Sequence, residues 1–236
     1  MPISYTGACA QICAAPAPIL FIDTCLFLDV LRAPVRENVS ADSAKFSNEL
    51  CARANASPRL VWLVTSETVV QEWQDNLAGV KDEVERETLK LEKKRLHFWS
   101  AAQHATGATH QSGPSERALN LTNQLEVVSK DLINACAIIS PNDSHLVGAM
   151  TRVKSNMAPA RRGKSEPKDC EIFELFVCLC RDLRSAGMTE EFVFASSNTN
   201  EYGPSNSGGI QPELHTFGAK YASDLSWAMA ILDCHA

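Results

Sequence analysis

The sequence predicts an α/β fold organised on a buried parallel sheet, and three observations carry that prediction. Ile19-Leu20-Phe21-Ile22 and Leu60-Val61-Trp62-Leu63-Val64 are apolar runs of strand length with no polar–apolar alternation, the pattern of strands covered on both faces. Glu191 to Asn198 is a third such run that ends in small polar residues. Between the runs lie stretches with helical periodicity and helix-capping residues at their starts.

The first run ends in Asp23. An Asp at the C-terminal end of a buried parallel strand adjoins the core and faces the edge where open α/β sheets place their chemistry. As a plain alternative, Asp23 or Thr24 N-caps the helix that follows, expected over Cys25–Arg32 and stopped by Ala33-Pro34. A second helix is expected over Ala41–Ala54. After the second strand, Thr65-Ser66 offers caps and Glu67–Leu77 reads as a helix. On it Val69, Trp73, Leu77 and Val80 share one face, with Glu72 at its border and Glu67 on the far side.

Lys81–Ala102 and Ser115–Ile139 read as two helical arms joined by the loop Thr106–Pro114, a hairpin inserted at about residues 80–140. The second arm spaces Ala118, Leu121, Leu125, Val128, Leu132, Ala135 and Ile139 at alternating threes and fours. That seam packs on its own domain or, alternatively, joins a homodimer. His97 and His104 lie seven apart on the first arm with no acid or cysteine to complete a site, and are expected at the surface.

The segment Ala158–Lys168 is a basic loop, with Arg161, Arg162, Lys164 and Lys168, in a chain of net charge −6. It runs into Asp169 and a helix expected over Asp169–Arg184. At 100° per residue, Ile172, Phe173, Phe176, Leu179, Cys180 and Leu183 form an apolar face that includes Asp169. Glu171, Glu174, Arg181 and Asp182 fall opposite and are expected in solvent. A carboxylate turned to the core is costly unless it is paired or holds a cation. After the third strand, Thr199–Pro204 is expected as a loop and Pro212–Leu232 as a closing helix.

Bulk properties bound the function. The length suits one generous domain, here 19–236, or a domain with an insertion. Residues 1–18 are small, Ala/Pro-rich and without a basic n-region, and are expected as a flexible leader rather than a secretion signal. The acidic balance excludes a uniformly basic surface, so any nucleic-acid contact must be local. The nine cysteines are scattered and form no C-x-x-C pair, which argues against zinc and against a disulfide framework. Reduced thiols fit a cytoplasmic protein, and no apolar run approaches membrane-spanning length.

Asp23, Glu72 and Asp169, with Ser196, Asn198 and Glu201 from the third strand's end, gather carboxylates from distant sequence towards one sheet edge. Such gatherings commonly hold one or two divalent cations, and the basic loop beside them suits a phosphate backbone. No Gly-rich phosphate loop and no Ser-His-Asp or Cys-His arrangement competes.

At these residues the chain resembles the PIN domain family of metal-dependent nucleases. The matching segments are Ile19–Cys25, Val69–Trp73, Lys168–Glu174 and Phe194–Tyr202, in that order and on the corresponding elements. The resemblance implies a three-layer α/β/α sandwich with a central parallel sheet, and Mg2+ or Mn2+ as cofactor. It implies hydrolysis of phosphodiesters, usually in single-stranded RNA. The family's three leading acids map to Asp23, Glu72 and Asp169. Its fourth acid falls on Asn198, a departure that leaves the second metal to Glu201, three residues on. Ser196 would orient a water or a phosphate oxygen, and Arg161, Arg162, Lys164 and Lys168 would hold flanking phosphates. A metal-dependent endoribonuclease is therefore expected. Toxin halves of toxin–antitoxin pairs share the fold, so an antitoxin or other regulatory protein is an expected partner. Two alternatives stand beside it, a catalytically inactive PIN-fold module that binds RNA or protein, and a DNA-directed nuclease.

Overall fold

The computed structural model describes residues 1–109, 113–204, 206 and 208–234, the side chains of residues 116 and 117 excepted. In chain order the elements are β1 (Ile3–Ser4), α1 (Tyr5–Ala14), β2 (Ile19–Ile22), α2 (Thr24–Arg32), α3 (Ser43–Ala54), β3 (Trp62–Ser66) and α4 (Glu67–Thr106). There follow α5 (Glu116–Leu119), α6 (Leu121–Asn134), β4 (Ala137–Ser140), α7 (Asp143–Ser155), α8 (Pro167–Ser185), β5 (Phe192–Ala195), α9 (Thr199–Tyr202), α10 (Gln211–Thr216), β6 (Ala219–Ala222) and α11 (Leu225–Asp233). Part of the expected 106–114 loop, residues 110–112, lies outside the described residues.

The six strands form one sheet in the order β1-β4-β3-β2-β5-β6, every pair parallel. Helices cover both faces, so the fold is the three-layer α/β/α sandwich expected. One layer contains α2, α3, α4 and α6, with α11 against α3; the other contains α1, α7 and α8. Double coverage explains the sequence pattern, since all four residues of β2, all five of β3 and all four of β5 are buried. The chain lays down β2, β3 and β4 in one direction and then returns to place β5 and β6 on the other side of β2. Such a reversal marks the usual ligand position in open α/β sheets, beyond the C-terminal ends of the two strands that flank it, here β2 and β5. Asp23 and Ser196 are the residues that follow those two strand ends.

Several expectations need correction. Residues 1–18 are not a loose leader. Ile3 and Ser4 pair with Ile139 and Ser140, and α1 buries Tyr5, Ala8 and Ile12 against the core at helical spacing. The closing helix over 212–232 is interrupted. Gly218, at φ 62°, ends the α10 turn, and Ala219–Ala222 pairs with β5 as a sixth strand before Asp224 caps α11. The second hairpin arm stops at Asn134, and Ile139, the last residue of its expected seam, belongs to β4. The first arm is longer than expected, a single 40-residue helix that begins at Glu67. From Leu121 to Ala135 the seam packs inside the chain, with Leu125 and Leu132 buried and α6 lying on α2 and α3, whereas Ala118 is exposed. Trp73 of α4 donates its indole N–H to Ser129 of α6 at 3.0 Å, and Ser129 in turn donates to the Phe27 carbonyl of α2 at 2.7 Å.

Candidate metal centre

Four elements deliver the site. Asp23 occupies the N-cap position of α2, and its carboxylate lies against the Thr24 and Cys25 amides at the start of that helix. Its backbone N–H donates to the Ala195 carbonyl at 3.0 Å, which locks the end of β2 against β5. Its side chain is buried and its Oδ2 accepts the Ser196 hydroxyl at 2.6 Å. Ser196 is itself fixed. Its carbonyl accepts the Tyr221 hydroxyl at 2.8 Å, and its Oγ accepts the backbone N–H of Asn198 at 3.1 Å.

Glu72 stands on the second turn of α4, where the Ser66 hydroxyl caps the helix by accepting the Val69 N–H at 3.1 Å. One Glu72 oxygen accepts the Thr24 hydroxyl at 2.7 Å, and the other lies 3.6 Å from the Lys168 ammonium. Asp169 is in the first turn of α8, where the macrodipole favours an anion. The Tyr202 hydroxyl points at its Oδ1 from 3.4 Å. Burial and the Asp23 and Asp169 charges push the Tyr202 phenol far up, so it stays a donor.

The three acids feel one another. The Asp23 carboxyl is pushed up to about 6, chiefly by burial and further by the Glu72 charge, against the bonds from Ser196 and backbone amides that pull it down. The Asp169 carboxyl is pushed up to about 7 by burial, then by Asp23, Glu72, Glu166 and Glu201. Burial and neighbouring like charges thus disfavour ionisation of Asp23 and Asp169, and a cation beside them would favour it. The donors are all hard oxygens, which suit Mg2+ or Mn2+ rather than a softer metal. The side chains are not arranged as a closed cage: among the described residues no three His, Cys, Asp or Glu side chains are spaced to hold one ion. In this arrangement Glu72 accepts the Thr24 hydroxyl and pairs with Lys168, while Asp23 accepts the Ser196 hydroxyl. The residues fit a hard cation in charge and donor chemistry, and closing on it would exchange Glu72's present partners for the ion.

Glu201, in α9, sits at the rim. Its side chain is 7% exposed, and its Oε1 takes the Lys164 ammonium at 2.6 Å, with Arg161 at 3.9 Å. Its Oε2 is buried with no hydrogen-bond partner among the described residues. The basic loop is a tight turn. Arg161 and Lys164 exchange backbone bonds of 3.0 and 2.8 Å around Arg162 and Gly163, whose φ of 87° suits glycine. Lys164 and Lys168 thus reach acids of the site from exposed positions, and Arg162 beside them is exposed as well. Asn198 reaches this network through its backbone N–H.

The helical projection places Asp169 correctly but misplaces its neighbours. Glu171 accepts the Thr68 hydroxyl, and Glu174 pairs with Arg152 at 2.6 Å, so neither is a simple solvent-facing acid. The causes are α7, whose Arg152 meets Glu174, and the start of α4, whose Thr68 meets Glu171, both packed on a face of α8 expected to be wet. Sequence reasoning also missed three supporting residues. Thr24, considered only as a cap, orients Glu72. Tyr202 points at Asp169. Arg152 is buried, clasps Glu213 with both terminal nitrogens at 2.8 and 2.5 Å, and donates to the Ala158 carbonyl at 3.0 Å, anchoring the base of the basic loop. Only Thr24 and Tyr202 carried a signal, as immediate neighbours of Asp23 and Glu201.

Comparison with known proteins finds no matching family model, no matching curated protein and no matching solved structure.

Proposed function

We propose that this chain is a PIN-like, divalent-metal-dependent endoribonuclease that cleaves single-stranded RNA. One observation carries the proposal. Asp23, Glu72 and Asp169 come from three separate elements to the crevice at the sheet's switch point, and the Asp23 and Asp169 carboxyls are pushed up to about 6 and 7 by burial and shared charge. Such a site lacks positive charge at its centre. Asp23, Glu72 and Asp169 would hold Mg2+ or Mn2+ there, with Glu201 beside them. When bound, such an ion offsets phosphodiester charge and acidifies water.

The protein's own groups supply the rest. Ser196 gives its hydroxyl proton to Asp23, holding that carboxylate in place, and would orient a water through its remaining lone pair. Tyr202 donates towards Asp169 and holds that carboxylate in place. Lys164 and Lys168, now on Glu201 and Glu72, are cations within reach of a phosphate that enters the crevice, and exposed Arg162 extends that reach. A regulatory partner of antitoxin type would act by covering this crevice.

The second reading is an inactive PIN-fold module. It is favoured by the neutral Asn198 at the family's fourth acid position and by Lys164 on Glu201, where a second ion would otherwise sit. Incubating the purified chain with end-labelled single-stranded RNA and DNA, with Mn2+ or with chelator, decides among the readings. Endonucleolytic cleavage of RNA that needs Mn2+ and disappears in Asp169→Asn is the expected result. Cleavage of DNA alone moves the substrate class. Retained Mn2+ binding with no cleavage of either polymer favours the module.

A further inference from the structure

We propose that the distal half of α4 is a second RNA-contacting surface, a basic rail that carries the strand away from the crevice. The nature of its ligand rests on the RNA-cleaving reading above. Lys90 lies 18 residues after Glu72 on one uninterrupted helix. At 3.6 residues per turn that is five full turns, so the two share one azimuth and stand about 27 Å apart along the axis. Arg86, Lys93, Lys94, His97 and His104 all project within about 60° of the same line. A ligand that leaves the Glu72 end of the crevice along this face meets the rail without turning.

The rail is exposed. Arg86 and Lys90 side chains are 65% and 57% exposed, and Lys93, Lys94, His97 and His104 are exposed as well. Of the acids on this face, Glu83 binds Arg32 and Arg36, Glu87 binds Arg86 and Lys90, and Asp75, nearer Glu72, accepts the Gln71 side-chain amide. Lys93 and Lys94 have no acidic partner among the described residues. Local positive charge of this density in a chain of net charge −6 is complementary to a polyanion.

Phe98, 62% exposed, borders the rail and offers a face on which a base can stack. The exposed apolar residues flank the rail on both sides, Leu91 and Phe98 on one and Leu89 and Leu96 on the other. Arg95 and Glu92, at about 140° and 200° from the rail's line, lie between those two pairs and break the continuous apolar face that a membrane-surface helix needs. A second copy docked rail to rail would oppose like charges.

The test is equilibrium binding of fluorescent oligouridylates of about 6 and about 20 nucleotides, in chelator so that nothing is cut, over a series of salt concentrations. Wild type should bind the longer strand at least about tenfold more tightly. The K90Q/K93Q/K94Q variant, checked for unchanged helicity and melting, should lose that length-dependent gain. Its salt slope on the longer strand should fall by about 2, from three phosphate contacts at about 0.7 each. Equal affinity for both lengths, an unchanged slope in the variant, or wild-type binding to anionic vesicles in place of RNA overturns the rail. Mn2+-dependent cutting of the short strand by wild type is read separately. Cutting with no rail effect removes the rail alone, and a rail effect with no cutting removes the nuclease reading alone.

Discussion

Replacing Asp23 with Asn should stabilise the metal-free protein while abolishing cleavage. Asp23 is buried, accepts a 2.6 Å bond from Ser196, and has its carboxyl pushed from an ordinary 3.8 up to about 6. At about 1.36 kcal/mol per pH unit, ionising it in the folded, metal-free chain costs roughly 3 kcal/mol. The sign follows from linkage. The folded state holds this proton more tightly than the unfolded state, so stability is fully present below pH 3.8 and is lost as pH rises through about 6. At pH 8 the neutral amide avoids that cost, while its NH2 forfeits part of what the carboxylate accepted, so roughly 3 kcal/mol is an upper bound. For a chain of this size it corresponds to a rise in Tm of about 6–12 °C at most. Thermal melts in EDTA at pH 8 and pH 4 make the assay. The gap should be present at pH 8 and closed or reversed at pH 4, and Mn2+ at pH 8 should raise wild type and leave the variant unmoved. A variant that melts below wild type at pH 8 without metal would refute the claim that burying the Asp23 charge strains the metal-free fold.

Further outcomes are expected. Mn2+ affinity should rise between pH 5.5 and 8, because the carboxyls at about 6 and 7 must lose protons to serve as ligands; a flat profile would place the metal elsewhere. Arg152→Met should cost about 3–5 kcal/mol in urea unfolding, since it leaves Glu174 and Glu213 facing each other without their buried cation, and a cost below about 1 kcal/mol would show that the clasp contributes little. Asn198→Asp should keep activity and tighten Mn2+ binding, whereas Glu201→Gln should lower activity; an active wild type indifferent to both would reduce the ligand set to Asp23, Glu72 and Asp169. Replacing Arg161, Arg162 and Lys164 with Ala should raise KM and flatten the salt dependence of RNA binding, and an unchanged slope would make the loop a solvated surface.

The parts of the fold that were legible in the sequence were those where burial leaves a long signature. β2, β3 and β5 show as unbroken apolar runs because both sheet faces are covered. Asp169 shows because a polar residue on the apolar face of a well-projected helix is rare. The edge strands were hidden by their brevity. β1 is two residues, and β6 sits within a stretch where Leu214, Phe217, Tyr221, Leu225 and Ala228 mimic a helical face. β4 was absorbed into a heptad pattern because Ile139 keeps the helical spacing after the helix has ended. Residues 141–157 displayed no motif, so α7 and Arg152 were invisible, and with them the reason Glu174 is not in solvent. At the site, sequence order identified which acids converge. The Lys164–Glu201 and Lys168–Glu72 pairs were not legible, because they join residues 37 and 96 positions apart through a turn whose path only the fold determines.

Direct titration of the purified chain with Mn2+ at pH 8 tests the cation site most directly, read by calorimetry on wild type and on Asp23→Asn/Asp169→Asn. Saturable binding of at least one ion by wild type, lost in the double variant while its fold and melting persist, is the predicted result. Absence of saturable binding in wild type, or equal binding by the double variant, would contradict the assignment of the Asp23, Glu72 and Asp169 crevice as a metal centre.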